Sequence, residues 1–203
     1  MKRMVMLALA LLIVSGVAFA QVQFSAGPKA GVDLGIWGGD DFNDAADAND
    51  GKGVGIGLAA GGFLEVAISE QFAVQPEVLF LQWKGKIKGD PDDVVTTANT
   101  VTIPVLAKGT FPVGPGGLFV LGGPAVAFVV GDLTTDDGNS ETDTEPDNSV
   151  LFGASLGAGY EQVVGPGTLS AELRFNRIFN QVIEDLDYYP QGISILLGYG
   201  FDF

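Results

Sequence analysis

Past Gln21 the chain runs in segments of roughly ten residues that alternate between apolar side chains and small or polar ones. A period of two marks a strand with two unlike faces. The clearest run covers residues 54–68. Val54, Ile56, Leu58, Ala60, Leu64, Val66 and Ile68 fall on one face, and Gly55, Gly57, Ala59, Gly61, Phe63 and Glu65 on the other. Over 24–37, Ala30, Val32, Leu34 and Ile36 oppose Lys29, Gly31, Asp33 and Gly35. Over 168–179, Leu169, Ala171, Leu173 and Phe175 oppose Ser170, Glu172, Arg174 and Asn176. The last run, 192–203, sets Ile193, Ile195, Leu197, Tyr199, Phe201 and Phe203 against Ser194, Gly198, Gly200 and Asp202. Further strands fit near 72–83, 101–111, 118–130 and 150–163, which predicts eight in all.

The connections alternate in length. Long polar loops are predicted over 38–53, 85–100, 131–149 and 180–191, with tight turns at 69–71, 112–117 and 164–167. This is the pattern of an all-β, eight-stranded, antiparallel up-and-down transmembrane barrel, with short periplasmic turns and long outer loops. A soluble secreted barrel of the lipocalin type is the alternative. Such a barrel would turn its polar face to water. Here the second face mixes Gly, Ala and Ser with isolated charges, which suits a narrow lumen better.

At the N-terminus, Lys2 and Arg3 precede an apolar run over 4–17 and then Ala18-Phe19-Ala20. A positive start, an apolar stretch and an A-x-A site predict a cleaved signal peptide over 1–20, leaving 21–203 as the barrel domain. The run is shorter than the ~20 residues a membrane-spanning helix needs.

Composition supports the same class. The chain holds 30 glycines in 203 residues, and each costs about 1 kcal/mol inside a helix, so a helical bundle is disfavoured. The formal charge is −15; without Lys2 and Arg3, 8 basic residues face 25 acidic ones, a net −17. Nucleic acid is therefore excluded as a partner, because phosphate binding needs a basic face. Cysteine and histidine are both absent. No disulfide framework is available, and the commonest metal ligand and general base is missing. No enzymatic activity, cofactor or defined metal site is expected.

With the first strand running outward, Lys29, Glu77, Glu172 and Arg174 project into the lumen near mid-height. Glu65, Lys108, Glu161 and Asp202 lie nearer the periplasmic end. Two positive and two negative charges at mid-height can satisfy one another where a lone charge would be costly. The expectation is a polar plug; a proton or ion path is the sharper alternative. Aromatic residues near the strand ends (Trp37, Trp83, Phe111, Phe119, Phe179, Tyr188, Tyr189, Tyr199, Phe201 and Phe203) predict girdles at headgroup level. Acidic residues crowd two outer loops: Asp40, Asp41, Asp44, Asp47 and Asp50 in the first, and Asp132, Asp136, Asp137, Glu141, Asp143, Glu145 and Asp147 in the third. Carboxylates at this density attract divalent cations. Neither run has the spacing of a helix–loop–helix calcium site, so only weak divalent binding is expected at the outer loops.

Several short motifs carry a family resemblance. They are Gly27-Pro28-Lys29-Ala30-Gly31-Val32-Asp33-Leu34, Val74-Gln75-Pro76-Glu77-Val78-Leu79-Phe80, Ile103-Pro104-Val105-Leu106-Ala107-Lys108, Gly122-Gly123-Pro124-Ala125 and Leu169-Ser170-Ala171-Glu172-Leu173-Arg174-Phe175. In their order and spacing the chain resembles the outer-membrane β-barrel family common in Bacteroidetes and related bacteria, described as porin-family or opacity-like and similar in architecture to OmpX and the OmpA barrel. The terminal Tyr199-Gly200-Phe201-Asp202-Phe203 resembles the insertion signal of that class. The resemblance implies outer-membrane lipid, the barrel-assembly machinery and periplasmic chaperones as partners, and the cell outer membrane as location. The family name suggests transport, whereas the strand count and the paired lumen charges argue for a non-enzymatic barrel with a plugged polar lumen, serving envelope structure or surface interaction through its long acidic loops; a narrow pore for ions or small solutes is the alternative.

Overall fold

The computed structural model describes residues 23–90, 92–182 and 188–203. The segment expected to be a signal peptide lies outside them. Eight long strands form the barrel: β1 (Gln23–Gly35), β2 (Lys52–Ala67), β3 (Phe72–Ile87), β4 (Val94–Val113), β5 (Gly116–Val129), β8 (Val150–Val164), β9 (Gly167–Ile178) and β10 (Gln191–Asp202). A helix α1 (Asp40–Asp47) follows β1, and a short hairpin of β6 (Leu133–Asp136) and β7 (Glu141–Thr144) follows β5. The order around the ring is β3-β2-β1-β10-β9-β8-β5-β4, and pairing of β3 with β4 closes it. All ladders are antiparallel.

The alternation decides which face points where. Ile56, Leu58, Leu156 and Leu197 are 59–68% exposed on the outside, while their strand neighbours point into the lumen. An outward apolar and inward polar arrangement is the reverse of a soluble barrel. The tight turns follow from local chemistry. Gly114 and Gly165 adopt φ of 60° and 64° and each precedes a proline, a φ-sign pattern that suits a two-residue hairpin turn.

Strand prolines leave local gaps. Pro76 pairs with Val105 and Leu79 with Thr102, and the two residues between make no ladder pair. A similar gap separates Pro104↔Ala125 from Ala107↔Gly122. Proline has no N–H to give the ladder, yet the register is the same on both sides of each gap.

Three of the four predicted loops carry ordered structure. In the first, α1 buries Phe42 and Ala46, one turn apart on a single face. Asp40 and Asp41 occupy its first turn, where the helix dipole favours negative charge. The second shrinks to residues 88–93, because β3 and β4 run on as a paired ribbon from Gly85↔Thr96 to Ile87↔Val94. Val94, Val95, Thr96 and Thr97 are β-branched, which favours the strand despite their polar surroundings. In the third, β6 pairs with β4 and β7 with β6. Its turn is closed by Asp137, whose carboxylate accepts from the N–H groups of Asn139 at 3.0 Å and Ser140 at 2.8 Å.

Lumen glycines make room for rings. A Cβ at Gly159 would overlap the Phe119 ring and the Ala171 carbonyl. Gly159→Ala should therefore cost about 1–3 kcal/mol through overpacking, read as a lower denaturant midpoint of the folded barrel in detergent. Asp137 yields a pH test. The two N–H donors hold its carboxyl below its ordinary value of 3.8. A lowered value stabilises the hairpin turn above 3.8, and that support is lost as pH falls through the lowered value. The Asn139 and Ser140 amide resonances should hold their positions from neutral pH to below 3.8 and shift only beneath it.

Candidate functional site

The lumen-facing charges come from strands on opposite walls. β3 and β9 lie four steps apart round the eight-stranded ring, and β1 stands midway between them. Glu77 on β3 therefore reaches straight across the lumen to Arg174 on β9. Arg174 donates through Nη1 to Glu77 Oε2 at 2.6 Å and through Nη2 to Oε1 at 2.8 Å, a two-pronged contact. Its Nε donates to Glu172 Oε1 at 2.5 Å. Lys29 on β1 bridges both carboxylates, at 2.7 Å to Glu77 and 2.9 Å to Glu172. Gln75 adds a donor to Glu77 Oε1 at 2.6 Å. None of the four charged residues is more than 3% exposed. The tetrad is neutral as a unit.

A second layer repeats this arrangement nearer the short-turn end. β2 and β8 are also four steps apart, with β4 midway. Lys108 on β4 pairs with Glu65 on β2 at 2.7 Å and with Glu161 on β8 at 2.5 Å. Thr110 donates to Glu161 at 3.1 Å. Each lysine also lies over an aromatic ring: Lys29 over Phe63 at 5.2 Å, and Lys108 over Phe119 at 4.7 Å. A polar cavity of about 80 Å³ separates the layers, bordered by Lys29, Glu65, Lys108 and Glu172. Asp202 also borders it but is exposed at the rim and forms no ion pair among the described residues.

Above the tetrad, towards the long connections, a hydrogen-bonded chain runs along neighbouring strands. Ser194 donates to Asp33 Oδ1 at 2.6 Å, Asn176 Nδ2 donates to Ser194 at 2.8 Å, and Ser155 donates to Asn176 Oδ1 at 2.7 Å. Asp33 Oδ2 has no partner among the described residues. Higher still the lumen turns apolar, filled by Leu79, Leu81, Trp83, Leu133, Leu151 and Trp37 among others.

One expectation needs correction. Trp37, Trp83 and Phe119 do not belong to an interfacial girdle; they are at most 3% exposed and point inward. The signal was present in the parity of the strands. Trp83 lies an even number of positions from Glu77, and Trp37 from Lys29, so each shares the lumen face. Phe111, Phe179, Phe201 and Phe203 do point outward, at 49–75% exposure. At the C-terminal end, Tyr199 packs edge-on to Phe201 at 5.0 Å and donates to the Val164 carbonyl at 2.7 Å. Among the described residues no group of three or more carboxylates is placed to hold a metal ion.

The sequence profile of the outer membrane protein β-barrel domain family matches residues 19–184. The chain belongs to that family. This outer-membrane barrel is similar in fold to Neisserial surface protein A, with a TM-score of 0.55 at 14% identity, covering 89% of this chain and 97% of that one. It is also similar to the outer membrane protein OprG from Pseudomonas aeruginosa, with a TM-score of 0.52 at 10% identity, covering 90% and 96%. No curated protein matches the chain. At such identities the likeness is one of fold alone. Family and exposed apolar face together overturn the soluble lipocalin-like alternative. The barrel sits in the outer membrane with Ile56, Leu58, Leu156 and Leu197 against lipid, and its short turns face the periplasm.

The tetrad generates a direct test. Removing one partner of a buried pair leaves an unpaired charge, at a cost of about 3–5 kcal/mol. Glu77→Ala and Glu172→Ala should each lower the unfolding midpoint in detergent by that order. The double substitution Glu77→Leu with Arg174→Leu keeps the lumen neutral and should cost less than Glu77→Ala alone. An unchanged midpoint for Glu77→Ala would show that its carboxylate gains nothing from the cross-lumen contacts.

Proposed function

We propose that this barrel is a non-enzymatic component of the outer membrane, closed to flow, which serves envelope structure or surface interaction through its acidic outer end. The observation that carries the reading is the cross-lumen tetrad. Glu77 and Arg174 meet across the lumen from opposite walls, and Lys29 and Glu172 join the same network. An ion passing this level would have to break several charge-assisted hydrogen bonds at once. The absence of histidine and cysteine from the sequence supports the non-enzymatic part, since the usual bases and thiol nucleophiles are not available.

In this reading residues 1–20 are the export signal, and Tyr199, Phe201 and Phe203 form the segment recognised by the barrel-assembly machinery after periplasmic chaperones deliver the chain. The outward aromatic row ending at Phe203 supports that assignment. Any divalent cations at the outer end bind loosely, as a counter-ion atmosphere over the carboxylates.

Planar-bilayer recording tests closure. The wild-type barrel should give no steady unitary steps, whereas Glu77→Ala with Arg174→Ala should open a measurable conductance. Steady wild-type steps that disappear when the lumen charges are substituted would instead establish a narrow pore.

A further inference from the structure

We propose that the outer end of the barrel holds a binding site for a small, uncharged, mostly apolar molecule carrying one hydrogen-bond acceptor. A cavity of about 330 Å³ lies there, between the barrel mouth, α1 and the β6–β7 hairpin. That volume falls at the lower end of the roughly 300–1,000 Å³ typical of small-molecule sites. Its walls are largely apolar, with Trp37, Phe42, Ile87, Val94, Leu133 and Val182 among them, and Thr96, Thr135, Thr144 and Tyr188 complete the lining with Gly85.

The donor that selects the ligand is Trp37. The two tryptophans of the chain belong to the same apolar cluster but differ in one respect. Trp83 Nε1 donates to Thr100 Oγ1 at 3.0 Å. Trp37 Nε1 is the one buried side-chain N–H without a partner among the described residues, although Trp37 is 2% exposed. Leaving a buried donor unsatisfied costs about 1–3 kcal/mol, so an acceptor brought into the cavity regains part of that cost. The position of the ring is built in: a Cβ at Gly85 would stand 2.7 Å from Trp37 Cδ2, so glycine there lets the indole lie flat on β3. Phe42 packs on it at 6.3 Å, and Tyr188 packs edge-on to Phe42 at 5.6 Å.

The described lining disfavours charged ligands. No Lys, Arg, Asp or Glu lines the cavity among the described residues, so an ionic group would enter unpaired. Asp40 and Asp41 on the covering helix further disfavour an anion. Thr96 and Thr135 lie 3.2 Å apart, hydroxyl to hydroxyl, and Trp37 Nε1 is the buried donor of the lining without a partner among the described residues. A ketone, ester or ether oxygen on a hydrocarbon body fits this set.

The test uses the full barrel, ¹⁵N-labelled and reconstituted in lipid nanodiscs, titrated with 2-nonanone and separately with nonane. Trp83→Phe assigns the two indole N–H resonances. Saturable movement of the Trp37 resonance with 2-nonanone, with the Trp83 resonance still and nonane giving no comparable shift, is the expected result. Val94→Phe, which fills the cavity, should abolish the response. Trp37→Phe should weaken 2-nonanone binding roughly 3- to 10-fold, followed on the Leu133 and Val182 methyl resonances. No shift, a proportional drift of both indoles from partitioning into lipid, or an undiminished Trp37 shift in the Val94→Phe variant would each overturn the proposal.

Discussion

In hydrocarbon every backbone N–H and C=O must find its partner within the protein, since no water is present to supply one. For strands, that requirement is met by closing the sheet on itself, and here the β3–β4 ladder is the seam that does so. Closure with eight strands also sets the width of the interior, which side chains just fill. Once the ring is that narrow, residues on opposite walls come within reach of one another. The lumen chemistry follows from this width, not from any one motif.

The two ionic layers use the narrow width in the same way. Each places a lysine midway between carboxylates anchored on strands to either side of it, and each turns that lysine over an aromatic ring. A salt bridge along one strand could not resist lateral deformation of the barrel, whereas one across the diameter ties opposite walls together. The buried position is tolerable because the tetrad is neutral and because Gln75 and the guanidinium fork satisfy the carboxylate oxygens. Removing charge in balanced pairs is therefore a different perturbation from removing one partner.

The outer half of the lumen has other chemistry. The Asp33–Ser194–Asn176–Ser155 chain marks the transition, and beyond it the interior is almost wholly apolar. Structured connections make this possible. α1 contributes Phe42 and the β6–β7 hairpin contributes Leu133, so the mouth is roofed by side chains that the barrel strands do not supply. The acidic residues of the same segments stay at the surface, where mutual repulsion is screened by water and salt.

The eight strands, their facing and the placement of Lys29, Glu77, Glu172 and Arg174 on the inward face were legible in the sequence. Alternation has a period of two, and a one-residue slip would turn a whole strand inside out. The ends of elements were not legible in this way. The β3–β4 ribbon beyond Gly85, the helix at Asp40–Asp47 and the β6–β7 hairpin lie in polar stretches where alternation fades and pairing partners decide. Which charges meet was also beyond the sequence. Parity places Glu77 and Arg174 on the lumen face, but only the ring order sets them on opposite walls at one height. The inward turn of Trp37 and Trp83 obeys the same parity, masked by the habit of aromatics to gather at membrane interfaces. Sequence by itself thus determined which face each residue occupies, because that depends on neighbours along the strand. Tertiary structure decided who pairs with whom, because that depends on strand order and closure.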